Sequence, residues 1–169
     1  MEEVIYENYS NPRLASYEVY YPREASRGLV FLPNGKMLAF LKPKTKQYKL
    51  PGGGKEGSET PEETFRREVL EETGYAVKNV RKLGITKGFT QTSYVFVADV
   101  DKYVGTSMDG GEISEDARPV EISVKGFLER CREFLEEYKK KTDKDSEIKY
   151  AITSRDYHIV KYYHDKCGS

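Results

Sequence analysis

With 169 residues, 37% hydrophobic and 33% charged, the chain is long enough for one domain with its own core and needs no disulfide or metal staple. Lysine plus arginine equal aspartate plus glutamate at 28 each, so no global field argues for nucleic acid or a membrane surface as partner. Cys131 and Cys167 are too few and too dispersed for a disulfide framework, no apolar run approaches membrane-spanning length, and Met-Glu-Glu-Val is not the start of a signal peptide, so a soluble, cytoplasmic single domain over residues 1–169 is expected.

Arg27 to Leu32 and Met37 to Lys42 are apolar runs of strand length, joined by Pro33-Asn34-Gly35-Lys36, whose Asn-Gly pair signals a hairpin. A short strand, Tyr48-Lys49-Leu50, leads into Pro51-Gly52-Gly53-Gly54, a loop whose missing side chains let main-chain groups approach a ligand or metal. A helix follows. Thr60 is its N-cap, Pro61 fits its first turn, Glu63 completes a Thr-x-x-Glu capping box and Gly74 stops it. Phe65, Val69 and Leu70 fall on one side of it, with the acidic residues on the arc beside them. Ala76 to Ile85 and Ser93 to Val100 then read as strands, residues 102–118 as a long polar loop, and Val120 to Val124 as a short strand-like segment. From Val124 to Lys141, Phe127, Leu128, Cys131, Phe134, Leu135 and Tyr138 recur at helical steps. Residues 142–147 link this helix to a last one that begins near Ser154 and turns Ile159, Val160, Tyr162 and Tyr163 to the core. Mixed strands around one long helix make an α/β sandwich.

Glu68, Glu71 and Glu72 stand at i, i+3 and i+4, so their carboxylates project from one face within a single helical turn. Three like charges that close repel unless a cation lies between them, and hard carboxylate oxygens suit Mg²⁺ or Mn²⁺ completed by substrate phosphates and water. Arg67, four residues before Glu71, can hold that carboxylate or its neighbours, and a carbonyl of Gly52 or Gly53 is a further candidate ligand. Gly52-x-Gly54-x-x-Gly57 matches a dinucleotide fingerprint, but the acids that follow lie inside the next helix rather than at the end of a second strand. Gly54-Lys55 lacks the Ser or Thr of a phosphate-binding Walker loop. The plain alternative is a solvated acidic helix after a flexible loop.

Residues 53 to 75 resemble the Nudix box, Gly-x5-Glu-x7-Arg-Glu-U-x-Glu-Glu-x-Gly-U with U a bulky apolar residue. Gly53, Glu59, Arg67, Glu68, Glu71, Glu72 and Gly74 meet every fixed position, Val69 fills the first U, and Tyr75 is an aromatic at the second. The box spans 23 of the 169 residues, and the strand, Pro-Asn-Gly turn, strand and Leu50-Pro51-Gly52-Gly53 before it follow the family's order too. The resemblance implies an α/β/α sandwich with a mixed sheet and a pyrophosphohydrolase that uses Mg²⁺ or Mn²⁺ on a nucleoside diphosphate linked to another moiety. Glu68 and Glu72 are the first choices as metal ligands, Glu71 either ligates a further ion or fixes Arg67, and Glu59 contributes through water or structure. Members of the family recruit the general base from different places. Glu68 is the candidate inside the box, and Glu112 and Glu115 are candidates in the acidic loop, Glu115 ahead because it precedes the strand-like segment; a solvated loop is the alternative for both.

Lys42, Lys44, Lys46 and Lys49 sit before the glycine segment, where they can meet a polyphosphate or remain surface charges, and Tyr48 or Tyr94 can stack on a base. The substrate is expected to be a nucleoside triphosphate, a nucleotide sugar or a dinucleotide. A second copy of the chain, as a homodimer, is the macromolecular partner left open, and RNA decapping would call for a more basic surface. A nucleotide sensor without catalysis is the competing class; it predicts damaged carboxylates, and here all are intact.

Overall fold

A computed structural model describes residues 2–17, 23–89, 91–105 and 117–167. Its strands are β1 (Val4–Asn8), β2 (Arg23–Phe31), β3 (Met37–Lys42), β4 (Gln47–Lys49), β5 (Gly52–Gly54), β6 (Tyr75–Gly88), β7 (Gln91–Tyr103) and β8 (Arg118–Ile122), and its α-helices are α1 (Pro61–Thr73), α2 (Val124–Tyr138) and α3 (Lys144–Cys167). One sheet runs β1-β6-β7-β2-β3-β4, with β5 added to β2 and β8 to β3. It is mixed: β1 with β6 and β2 with β7 are parallel, the other pairs antiparallel.

The three layers follow from strand alternation. In β7, Val95 and Val97 join a core of Leu29, Met37, Phe127 and Ile159 on one face of the sheet, while Phe96 and Ala98 join Val30, Leu38, Phe65 and Val69 on the other. Helix α1 therefore covers one face and α2 and α3 cover the other, the expected α/β/α sandwich.

Helix α1 is fixed at both ends as the sequence indicates. Thr60 Oγ1 accepts from the Glu63 N–H at 3.2 Å, Glu63 Oε1 accepts from the Thr60 N–H at 2.8 Å, and Gly74 adopts φ +80°, a left-handed cap open to glycine at little cost. Phe65 and Val69 are fully buried, but Leu70 is exposed, so the apolar stripe is narrower than the sequence suggested.

Other boundaries differ. β2 starts four residues before Arg27, β6 and β7 are longer at both ends, and α2 stops at Tyr138. β1 and a short 3₁₀ turn, Pro12–Ser16, were not anticipated. The largest correction is α3, which begins at Lys144 rather than near Ser154. Its first turns bury Ser146, Glu147 and Thr153, a polar face with no hydrophobic period to read. Glu147 is held there by Arg13 and Tyr17 and by Asn11 Nδ2 at 3.0 Å, which ties the N-terminal turn to α3.

Phe65, fully buried and stacked on Phe96 at 5.2 Å between ring centres, anchors α1 to the sheet. Phe65→Ala is expected to cost about 3–5 kcal/mol of unfolding free energy in urea denaturation, since it opens a cavity the rigid sheet cannot close.

Candidate active site

The glycine segment is a strand, not the free loop its composition suggested. Gly54, Gly53 and Gly52 pair with Ala25, Ser26 and Arg27 of β2, which lays β5 flat beneath α1. A Cβ on Gly52 would stand 2.4 Å from Arg27 Cβ and from the Ser26 carbonyl oxygen, which leaves no room for a side chain, and one on Gly53 would stand 2.5 Å from the Glu68 carboxylate carbon and displace that carboxylate. Glycine thus lets the Glu68 carboxylate rest on strand backbone. Alongside it, the Gly52 N–H donates to Glu72 Oε1 at 2.8 Å, closing the seam between strand and helix.

Arg67 is the hub. It was expected to meet Glu71, which it does at 3.2 Å, but its main partner is Glu59, gripped by Nε at 2.6 Å and by a terminal nitrogen at 3.0 Å. The same guanidinium donates to Glu68 Oε1 and to the Gly54 carbonyl, each at 3.0 Å. Glu59 also accepts from the Glu56 N–H and the Thr64 hydroxyl, so its role is to hold Arg67 and the loop. The Arg67 bonds, then the Glu56 N–H, hold the Glu59 carboxyl down to about 2, and Glu59 above all raises the Arg67 guanidinium.

Burial pushes Glu72 up to about 8, against the Gly52 N–H, with the Glu68 charge adding to the rise and Lys49 and Arg27 opposing it. Burial also raises Glu68, against the pull of Arg67. Two crowded carboxylates that resist ionisation beside strand carbonyls are a hard-oxygen donor set, which fits Mg²⁺ or Mn²⁺. Among the described residues, no three His, Cys, Asp or Glu side chains already form a metal cage. The bonds explain this: Arg67 draws Glu68 and Glu71 towards itself, while Glu72 turns to Gly52. Of the two roles left open for Glu71, fixing Arg67 is the one with a bond behind it.

Lys49 lies on β4, and burial, followed by the Lys42 ammonium, pushes it down to about 8. Lys42 ends β3 opposite Gln47. Tyr48 packs against the core beneath α2 and α3, and Tyr94 donates its hydroxyl to Glu24 under the Lys82 ammonium, so both rings already have structural partners. Glu112 and Glu115 lie outside the described residues.

Sequence reasoning missed a buried basic group behind the glycine strand. Arg27, 5% exposed, donates to Ser93 Oγ at 3.0 Å and Gln91 Oε1 at 2.9 Å, neutral acceptors both, and burial lowers it to about 9. Arg155 of α3 donates to the same Gln91 oxygen and to Asp156, which also accepts the Leu50 N–H. A charge opening the otherwise apolar run Arg27–Leu32 was the available signal.

A carboxyl held below its ordinary value adds stability above about pH 4.5 and loses it as the pH falls towards 2. Urea denaturation between pH 5 and 2.5 should therefore show a shallower loss for Glu59→Gln than for the parent.

The NUDIX domain model matches residues 21–124. The GDP-mannose pyrophosphatase of Pectobacterium atrosepticum is 39% identical over 67 residues, 37% of this chain and 35% of that one. A MutT-like protein of Streptomyces ambofaciens is 39% identical over 64 residues, 38% of this chain and 42% of that one. The matched segments thus span well under half of these curated relatives. A solved structure from work on MutT of Aliivibrio salmonicida and Vibrio cholerae, 16% identical, aligns over 64% of this chain and 85% of its own at a TM-score of 0.52, a likeness of fold. With the box residues placed along α1 and β5 as described, the chain belongs to the NUDIX domain family.

Proposed function

We propose that the chain hydrolyses a pyrophosphate bond in a nucleoside diphosphate linked to another moiety, with Mg²⁺ or Mn²⁺ as cofactor. The observation that carries the reading is the seam where Glu68 and Glu72 lie partly buried against the glycine strand, with Arg67 on Glu68 the one direct cation partner among the described residues. Glu68, Glu72 and a carbonyl of Gly52 would hold the metal, with Glu71 at its margin. When bound, the cation supplies charge neutralisation at the phosphate oxygens.

The chain's own groups do the rest. Arg67 holds Glu68 and Glu71 at the edge of the seam through its own N–H groups, from which a bound cation would draw Glu68, and Glu59 occupies two of its remaining bonds. Lys49 and Lys42 bring positive charge to the approach of the phosphates. Water attacks one phosphorus, the bridging P–O bond breaks, and the proton of the water passes to a carboxylate, with Glu68 in the box and Glu115 in the acidic loop as the two candidates. Among triphosphates, nucleotide sugars and dinucleotides, the relative named GDP-mannose pyrophosphatase favours a nucleotide sugar.

The test is release of phosphate, after added pyrophosphatase or phosphatase, from a panel of these three classes with Mg²⁺. One class should turn over, chelation should abolish the rate, and Glu72→Gln should lower it by about 10²-fold or more while leaving the circular dichroism intact. Turnover that survives chelation would contradict the assignment.

A further inference from the structure

Helix α3 lays a polar stripe along β4 and the residue that follows it. Gln47 Nε2 donates to the Lys149 carbonyl at 3.3 Å and to Thr153 Oγ1 at 3.1 Å, and the Leu50 N–H donates to Asp156 Oδ2 at 3.0 Å. Lys149, Thr153 and Asp156 follow one another at steps of four and three, so they share one face of the helix.

Asp156 differs from its neighbours in the stripe. It is fully buried, and a carboxylate taken out of water is costly unless its charge is matched. Arg155 matches it, donating from Nε to Oδ1 at 2.9 Å, and the same guanidinium donates to Gln91 Oε1, which also accepts from Arg27. Docking α3 on β4 does not by itself call for a charge, since Gln47 and Thr153 do it with neutral groups.

The bond to Leu50 falls where the backbone enters the carboxylate seam. Pro51 has no N–H, so the next donor along the chain is that of Gly52, which holds Glu72 Oε1 at 2.8 Å. The Pro51 carbonyl accepts the Gly28 N–H at 3.2 Å, and Gly52 pairs with Arg27 of β2. The passage from β4 into β5 is therefore fixed by β2 and by the Asp156 carboxylate, a charged acceptor that makes the stronger kind of hydrogen bond.

Resting on the hydrolase reading above, we propose that Asp156 is a positioning residue for the cation site: by holding Leu50 it sets where the Gly52 N–H meets Glu72 and where the Gly52 carbonyl stands for the metal. It acts through the backbone of residues 50–52 and not by contact with the reacting groups.

The test compares the full chain with Asp156→Asn and Glu147→Gln. In Asp156→Asn one amide oxygen replaces two carboxylate oxygens, and the NH₂ is left facing either the Leu50 N–H or Arg155, donor against donor. Glu147 is also a buried carboxylate of α3, but its partners Asn11, Arg13 and Tyr17 lie outside the seam. Both variants should melt earlier than the parent. Only Asp156→Asn should weaken Mn²⁺ binding, read by electron paramagnetic resonance, by about tenfold, the weight of one hydrogen bond to a charged group. It alone should also speed hydrogen exchange at the Gly52 amide about tenfold in metal-free protein. If Asp156→Asn does not fold, Arg155→Lys, which keeps the charge but lacks the fork that reaches Asp156 and Gln91 together, should show about threefold effects of the same kind. Mn²⁺ binding unchanged in the folded variant, or weakened as much in Glu147→Gln, would overturn the proposal. A parent that binds no Mn²⁺ would sink the hydrolase reading, whereas an unchanged Gly52 exchange rate would sink the positioning role by itself, so the two failures are told apart.

Discussion

The Arg67 guanidinium ties loop, strand and helix into one body, and the acidic site depends on it. Glu59, Glu68 and Glu71 crowd within hydrogen-bonding reach of it, and the Gly54 carbonyl closes its remaining side. Without a central cation these carboxylates would repel at separations where Coulomb energies amount to several kcal/mol at the dielectric of a protein surface. Lysine cannot replace it, because a point charge lacks the planar fork that grips Glu59 while reaching two more acids and a carbonyl. The loop acid and the helix arginine are thus one structural unit, although eight residues separate them in the chain.

That unit has to be held against something rigid, and β5 provides it. Three residues without side chains pair with β2, and β2 is itself locked between β3 and β7 in the middle of the sheet. Arg27 stands on the same strand directly opposite Gly52, buried and bonded to neutral oxygens, so positive potential reaches the seam from behind. Asp156 does a comparable job for α3, with one oxygen on the Leu50 N–H just before the glycine strand and the other on Arg155. The seam is therefore framed by three elements far apart in sequence.

What could be read from the residues is what local chemistry specifies. The capping box, the glycine stop and the i, i+3, i+4 acids are all short-range, and α1 forms between the boundaries they indicate. Glycine in β5 carries no strand signal of its own, and its partner residues Ala25 to Arg27 show no clean alternation, so pairing between segments some twenty-five residues apart was invisible. β1 escaped for a similar reason, because a parallel pair with β6 needs no turn to announce it. The start of α3 was missed because its buried face is polar, satisfied by Arg13, Tyr17 and Asn11 from the other end of the chain. Gln91 meets Arg27 and Arg155 across sixty-four positions in either direction, contacts that no periodicity encodes.

The proposed hydrolysis depends on a cation that Glu68 and Glu72, set on the glycine strand, would bind. Electron paramagnetic resonance of Mn²⁺ titrated into the parent, Glu68→Gln and Glu72→Gln would test it without any choice of substrate. Bound Mn²⁺ is expected in the parent and about tenfold or greater weakening in each variant, with the fold unchanged. Mn²⁺ binding that is the same in all three proteins would contradict it.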